Sequence, residues 1–270
     1  MTEQLASSRK VTANQLSGGK FSAAETNVII EQELMIYVNG TRLATASLAP
    51  GMEKEFVTGY LFGQGFIESA ADIMSLKITR GTAEATLKNS RISSSAANYR
   101  IVSGGGRSAY SGEANIKPIK SDITIDKQAI FKAMNTMFEN ASLYKTTEGA
   151  HAAGFFDAKG KLICMAEDIG RHNTLDKITG YILLNKIDCT KACLVITGRM
   201  ASEMVTKICR CGIPIAATKT AVTGEGLAIA KKCGLTLIGF VRDAGTKINT
   251  DMDVRVIQQA GMKIYSGAER

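Results

Sequence analysis

The stretch Leu162-Ile163-Cys164-Met165-Ala166-Glu167-Asp168-Ile169-Gly170-Arg171-His172-Asn173-Thr174-Leu175-Asp176-Lys177 decides how this chain folds. Its first five residues are apolar and read as a strand. Seven of the eleven residues from Glu167 to Lys177 are charged or carry a His or Asn side chain, packed around one Gly. Leu175, Ile178 and Ile182 then recur at helical spacing. The pattern is strand, polar turn, helix. A strand end feeding a helix N-terminus is where α/β proteins hold anions, because free N–H groups and the helix dipole meet there. A turn that only capped a helix would not need so many polar side chains.

Working outward, residues 151–156 read as a strand joined to 162–166 by the turn Ala158-Lys159-Gly160. A helix follows over about 172–185. Strands at 193–196, 213–217 and 235–241 then alternate with helices at 202–211 and 224–233. This alternation predicts an α/β fold with a largely parallel sheet covered by helices. No internal repeat is visible. Upstream, residues 1–26 are rich in Ser, Ala, Gly and Lys and read as a flexible arm. Strands are expected at 28–30 and 34–38, the latter closed by the hairpin turn Asn39-Gly40. Pro50-Gly51 opens a helix in which Phe56, Tyr60, Leu61 and Phe66 can share a face. Short strands are expected within 71–102, including 73–78 and 99–102. The loop Ser103-Gly104-Gly105-Gly106-Arg107-Ser108 follows, and Pro118 marks a boundary. Asp126 is placed to cap a helix running to about 140. The expected units are a flexible arm at 1–26, an N-terminal α+β domain at 27–120 and an α/β domain at 121–270.

The chain has 270 residues, 45% hydrophobic and 21% charged, enough to bury a real core. Its net charge of +8 favours an anionic partner. Aromatic residues are only 6% and Trp is absent, which counts against a base-stacking nucleic-acid surface. No apolar signal core and no run of about 18 apolar residues is visible, so neither export nor a membrane span is expected. The expected place is the cytoplasm, with the six cysteines reduced.

Four turns in the second half are polar and carry Gly: residues 168–173, 197–202, 218–224 and 242–247. In a parallel sheet they converge on one edge, where Arg171, Arg199, Lys219, Arg242 and Lys247 would create a positive field for a phosphate-bearing ligand. His172 lies inside the first turn and reads as functional. His151 is open between a packed structural residue and a site residue. Zinc is not expected. A zinc deaminase needs His-x-Glu and Pro-Cys-x-x-Cys, whereas His151 is followed by Ala152-Ala153 and Cys209-Arg210-Cys211 has the wrong spacing. No phosphate-loop, dinucleotide-binding or nucleophile-elbow motif appears. The Gly104-Gly105-Gly106 run is either an anion nest or a connecting loop.

Taken together these residues resemble the formate dehydrogenase accessory sulfurtransferase family, FdhD/NarQ, over roughly residues 28–250. The 167–177 run matches the family signature almost unchanged. Thr147-Glu148-Gly149-Ala150-His151-Ala152-Ala153, Thr197-Gly198-Arg199 with Glu203-Met204-Val205 and Lys207, and Gly239-Phe240-Val241-Arg242 resemble further family segments. Val38-Asn39-Gly40 and residues 59–67 match more loosely. The resemblance implies a cytidine-deaminase-like three-layer C-terminal domain without the zinc, beside a smaller mixed α+β N-terminal domain. It implies a homodimer that binds the guanine-nucleotide ends of bis-molybdopterin guanine dinucleotide, for which GDP is a mimic. It also implies transfer of sulfur from a cysteine desulfurase to the molybdenum cofactor before insertion into the formate dehydrogenase catalytic subunit. Phe240, Val241, Arg242, Asp243, Ala244 and Gly245 carry over as cofactor-binding positions, joined by Arg171, His172, Asn173, Gly198 and Arg199 from the polar turns.

The chain departs from the family pattern at two places. The sulfur-carrying loop of the family reads Cys-Gly-x-Cys-Gly, and here Ser103 and Gly106 stand at the two catalytic cysteine positions. A serine hydroxyl cannot do persulfide chemistry, which needs a thiolate. Thr220-Ala221-Val222-Thr223 replaces the family's Ser-Ala-Pro-Thr. Three functions follow from this pattern. The first is a sulfurtransferase that uses another thiol, such as Cys164. The second is a cofactor carrier or chaperone without sulfur transfer. The third is a nucleotide-processing enzyme, which the missing metal ligands disfavour.

Overall fold

The computed structural model describes residues 6–88, 99–101, 116–242, 247–249, 254–256 and 260–267. Strands β1 (Ser8–Ser17) and β2 (Lys20–Ile29) pair antiparallel in full register. The expected flexible arm is therefore a hairpin over most of its length. Gly18 and Gly19, at φ +58° and +77°, supply the two left-handed residues of a tight turn. Lys10 and Glu25 pair across the strands at 3.3 Å. Strands β3 (Gln32–Val38) and β4 (Thr41–Leu48) form a second hairpin about Asn39-Gly40, both at positive φ as the sequence suggested. Helix α1 (Glu53–Gly63) follows, then β5 (Ile73–Thr79), β6 (Thr82–Leu87) and β7 (Tyr99–Ile101). The five strands lie in the order β5-β6-β3-β4-β7. Their apolar residues Leu34, Ile36, Leu43 and Ala85 bury Phe56, Val57 and Leu61 of α1.

The rest of the chain builds one larger sheet. Helix α2 (Lys127–Asn140) starts at Asp126, whose carboxylate accepts the Gln128 N–H at 2.7 Å. After α3 (Ser142–Thr147) come β8 (His151–Asp157), β9 (Leu162–Asp168), α4 (Arg171–Leu184), β10 (Ala192–Ile196) and α5 (Ser202–Cys211). Then follow β11 (Ile215–Thr218), α6 (Gly224–Cys233), β12 (Thr236–Arg242), the short pair β13 (Lys247–Asn249) and β14 (Val254–Val256), and β15 (Gly261–Ser266).

The six-stranded order is β15-β12-β11-β10-β8-β9. Only β10-β11 and β11-β12 pair parallel; β8-β9, β8-β10 and β12-β15 pair antiparallel. The sheet is thus mixed, correcting the expectation of a largely parallel one. The tight turn at Gly160 (φ +72°) forces β8 and β9 into a hairpin, which a parallel arrangement forbids. Because β9 is reversed twice relative to β10, it still runs the same way as β10, β11 and β12. Their C-terminal ends meet on one edge, as the polar turns required.

Helices cover both faces. Leu175 and Ile178 of α4, Met204 and Ile208 of α5 and Ala230 of α6 share one core. Ile130, Phe131, Met134 and Met137 of α2 pack on the other face. The two sheets are joined where α1 crosses α4 backbone to backbone. A Cβ on Gly59 would lie 1.9 Å from the Asp176 carbonyl oxygen, and one on Gly180 would lie 1.8 Å from that of Glu55. Only hydrogen fits at either place. No helix among the described residues is long and apolar enough to cross a membrane.

Candidate functional site

The polar run at 167–177 does two jobs, and the first is internal. Asp168 ends β9 fully buried and meets Lys177 Nζ of α4 at 2.7 Å. Asp168 also accepts the N–H groups of Ala49 at 3.1 Å and Gly170 at 3.2 Å, and the Asn173 side-chain amide at 2.7 Å. The same amide donates to the Ser47 carbonyl at 2.8 Å, and Lys177 donates to those of Ala49 and Glu167. Residues 47–49 end the β3-β4 hairpin, so this buried cluster pins that hairpin to the root of α4. Asn173 is spent on these partners. A second buried pair, Lys207 to both Asp176 oxygens at 2.7 Å, ties α5 to α4. Burial raises the Asp176 carboxyl, and Lys207 opposes that shift.

The second job is the edge itself. Arg171 begins α4 and lies across Gly198, where a Cβ would come within 2.8 Å of the Arg171 side chain. Gly198 is therefore the residue that lets this arginine lie over the second turn. Thr197 Oγ1 lies 3.0 Å from His151 Nδ1 and accepts the Ala152 N–H at 3.2 Å. Thr218 Oγ1 donates to the Gly198 carbonyl at 2.6 Å and accepts the Thr220 N–H at 3.1 Å. The turns after β9, β10 and β11 are thereby stitched side by side.

Charge at this edge is mainly positive, with Glu203 of α5 as the acidic exception. Burial lowers the Arg171 guanidinium's affinity for its proton, and neighbouring Arg199 lowers it further. Burial does the same to Lys219, helped by Arg242. His172 is pulled down to about 3, first by burial and then by Lys207, Arg171 and His151. It is neutral at physiological pH, so its 3.4 Å approach to Glu203 is no ion pair. Burial and Arg171 also hold His151 below its ordinary range. Arg171 Nε, both His172 ring nitrogens and Arg242 Nε are buried without a hydrogen-bond partner among the described residues, as are Thr179 Oγ1 and Arg210 Nε elsewhere in the fold. Native structures rarely leave such groups orphaned unless something else satisfies them.

Phe240 stands beside Arg242 with a strained backbone. Its φ is +53°, in the left-handed region that bulky residues avoid. The register of β12 against β15 breaks between Gly239 and Arg242, a bulge that re-aims the Phe240 side chain. The Arg242 guanidinium lies 5.7 Å from the Phe240 ring centre and Lys263 Nζ lies 5.0 Å from it. Lys219 Nζ sits 4.6 Å above Phe138. Such an arrangement combines cations with an aromatic face, and can donate to an anion and stack on a planar ring.

Arg171, His172, Gly198, Arg199, Phe240 and Arg242 thus fall on one edge, as their turns implied. Val241 points into the core with 1% exposure. Asp243, Ala244, Gly245, Ser103 and Gly106 lie outside the described residues. Glu203, Lys207 and Phe138 were not singled out as site residues by the sequence. Glu203 and Lys207 sit one turn apart on α5, and that i, i+4 spacing was the available signal. Among the described residues no three His, Cys, Asp or Glu side chains gather closely enough to hold a metal. A separate groove of about 770 Å³ flanks edge strand β9, lined by Pro50, Met52, Leu143, Met165 and Glu167 among others. None of the edge cations lines it.

Comparison with known proteins agrees with this architecture. The FdhD/NarQ family profile matches residues 29–270. A protein named sulfur carrier protein FdhD from Sulfolobus acidocaldarius is 31% identical over 244 residues, covering 90% of this chain and 96% of its own. The Bacillus pumilus protein of the same name is 32% identical over 251 residues, covering 90% and 95%. A crystal structure from Desulfotalea psychrophila, described as a formate dehydrogenase accessory protein, superimposes with a TM-score of 0.77 at 24% identity. It covers 98% of this chain and 99% of that one, which supports the fold. The chain belongs to the FdhD/NarQ family.

Proposed function

We propose that this chain is an accessory protein of formate dehydrogenase maturation that binds the guanine-nucleotide ends of bis-molybdopterin guanine dinucleotide along its cationic edge. The observation that carries the reading is the set of buried, unpartnered nitrogens on Arg171, His172 and Arg242, with Phe240, held at positive φ, beside Arg242. Guanidinium N–H groups suit phosphate oxygens in bidentate geometry. An aromatic face suits a purine. The cofactor is cargo on this reading. Arg171, Arg199 and Arg242 neutralise its phosphates, and neutral His172 offers one donor and one acceptor without adding charge. The names of the relatives support a sulfur-carrying role; a cysteine desulfurase as donor and the formate dehydrogenase catalytic subunit as recipient are part of the proposal. A homodimer and a cytidine-deaminase-like layering of the larger sheet belong to the same reading.

Ser103 and Gly106 favour a second reading, a cofactor carrier or chaperone that has lost sulfur transfer. The first test is thermal denaturation with GDP and with AMP. A ligand at 100 times its Kd stabilises the folded state by about 2.7 kcal/mol. That corresponds to roughly 5–10 °C in Tm for a chain of this size. GDP is expected to give such a shift and AMP is not. Equal shifts, or none, would count against the nucleotide site.

A further inference from the structure

Sulfur carriage needs a thiol that is reachable and able to ionise. All six cysteines lie between positions 164 and 233. Cys164, Cys193, Cys209 and Cys233 are 8%, 1%, 2% and 2% exposed. Burial pushes the Cys164 and Cys193 thiols up to about 12, and raises Cys209 strongly as well. The rerouting through Cys164 that the sequence allowed is therefore disfavoured, because its thiol is packed into the helix-side core.

Cys189 and Cys211 remain partly exposed, and they are neighbours. Cys189 opens the short 3-10 turn Cys189–Lys191 that leads into β10, and Cys211 is the last residue of α5. The Cys189 thiol donates to the Cys211 carbonyl at 2.9 Å. Gly212, at φ +77°, ends α5 so closely that a Cβ there would sit 3.7 Å from the Cys189 sulfur. A hydrogen bond from the Cys211 thiol favours the Cys189 thiolate and lowers its pKa, while the Cys211 thiol is correspondingly raised. Cys189 is thus the more acidic of the two thiols, although burial and the Asp188 carboxylate oppose the shift. The pair sits at the N-terminal end of β10, opposite the cationic edge, where Cys211 touches both the helix-side core and the N-terminal core.

We propose that Cys189, with Cys211 as its neighbouring donor, is the thiol on which this chain takes up sulfane sulfur. This rests on the sulfur-carrier part of the function proposed above. In the step, the Cys189 thiolate attacks the terminal sulfur of a persulfide R–S–SH. A bond forms between Cys189 Sγ and that sulfur, and the donor S–S bond breaks. The electron pair leaves on RS⁻, which takes up the proton released by Cys189. The products are Cys189–S–SH and RSH, with no net oxidation. Cys211 acts here as a positioning residue.

The test uses the full reduced chain, glutathione persulfide as donor, an alkylating trap and peptide mass spectrometry. One added sulfur is expected on the Cys189 peptide, removable by reductant and absent in Cys189→Ser. Cys211→Ala is expected to move the pH midpoint of uptake upward, and Cys211→Ser to restore it. Sulfur on Cys164 or Cys193 that persists in a folded Cys189→Ser variant would overturn the assignment and leave the sulfur-carrier reading standing. No sulfur on any cysteine of the folded protein would overturn both. The GDP melting shift reads the nucleotide site independently of either result.

Discussion

Replacing Lys177 with Met tests the claim that the signature run holds the protein together before it binds anything. The side chains have similar length, so little cavity is created. What changes is the partner set. Asp168 is fully buried and loses its counter-charge at 2.7 Å, and the Ala49 and Glu167 carbonyls lose a donor. Asp168 keeps only neutral donors from Ala49, Gly170 and Asn173. Stranding one member of a buried ion pair costs about 3–5 kcal/mol. At roughly 2–4 °C per kcal/mol, the expected fall in Tm is about 6–20 °C. The assay is a ligand-free thermal melt of wild type, Lys177→Met, Asp168→Asn and the double variant. Coupled residues should depart from additivity by about 0.5–3 kcal/mol, so the double variant should be milder than the two single losses combined. A fall below about 2 °C in Lys177→Met, or strict additivity, would refute the reasoning.

Other perturbations read other parts of the account. Gly180→Ala places a Cβ where only 1.8 Å is available to the Glu55 carbonyl oxygen, so α1 and α4 must separate by more than 1 Å; a loss of about 3 kcal/mol is expected in chemical denaturation, at the upper end of ordinary overpacking. His172 is held neutral down to about 3 in the folded protein and protonates near 6.5 when unfolded; the unfolded state therefore binds the extra proton in that window, and stability should fall with pH below 6.5 by up to about 1.4 kcal/mol per unit, a slope that His172→Gln should reduce. Arg242→Ala should weaken GDP binding by about tenfold or more, as expected for a lost charge-assisted hydrogen bond, while Lys161→Ala at the far end of the β8-β9 hairpin should leave it unchanged; equal losses in a binding titration would place the site elsewhere.

Local signals were the readable ones. Asp126 caps α2, Asn39-Gly40 closes its hairpin, and Ser202–Cys211 and Gly224–Cys233 are helices within the expected bounds. Each depends on neighbours in sequence. The hairpin of β1 and β2 was missed because its mostly exposed faces carry no apolar alternation strong enough to outweigh the Ser, Ala, Gly and Lys content. The strand Gly261–Ser266 was missed as well, and its pairing is with β12 some twenty residues earlier. The site divided the same way. That the cationic turns would share an edge was legible from strand and helix alternation. That Asp168, Asn173 and Lys177 face inward was not, because their partners are Ser47 and Ala49, more than a hundred residues away. Polar residues in a turn read as ligand contacts until the segment that covers them is known.

The most direct test of the central claim is a crystal structure of the protein with GDP. The diphosphate is expected against Arg171 and Arg242, with their orphaned Nε groups donating and the guanine near Phe240. A diphosphate bound in the groove beside β9, with Arg171 and Arg242 untouched, would contradict the assignment of the cationic edge.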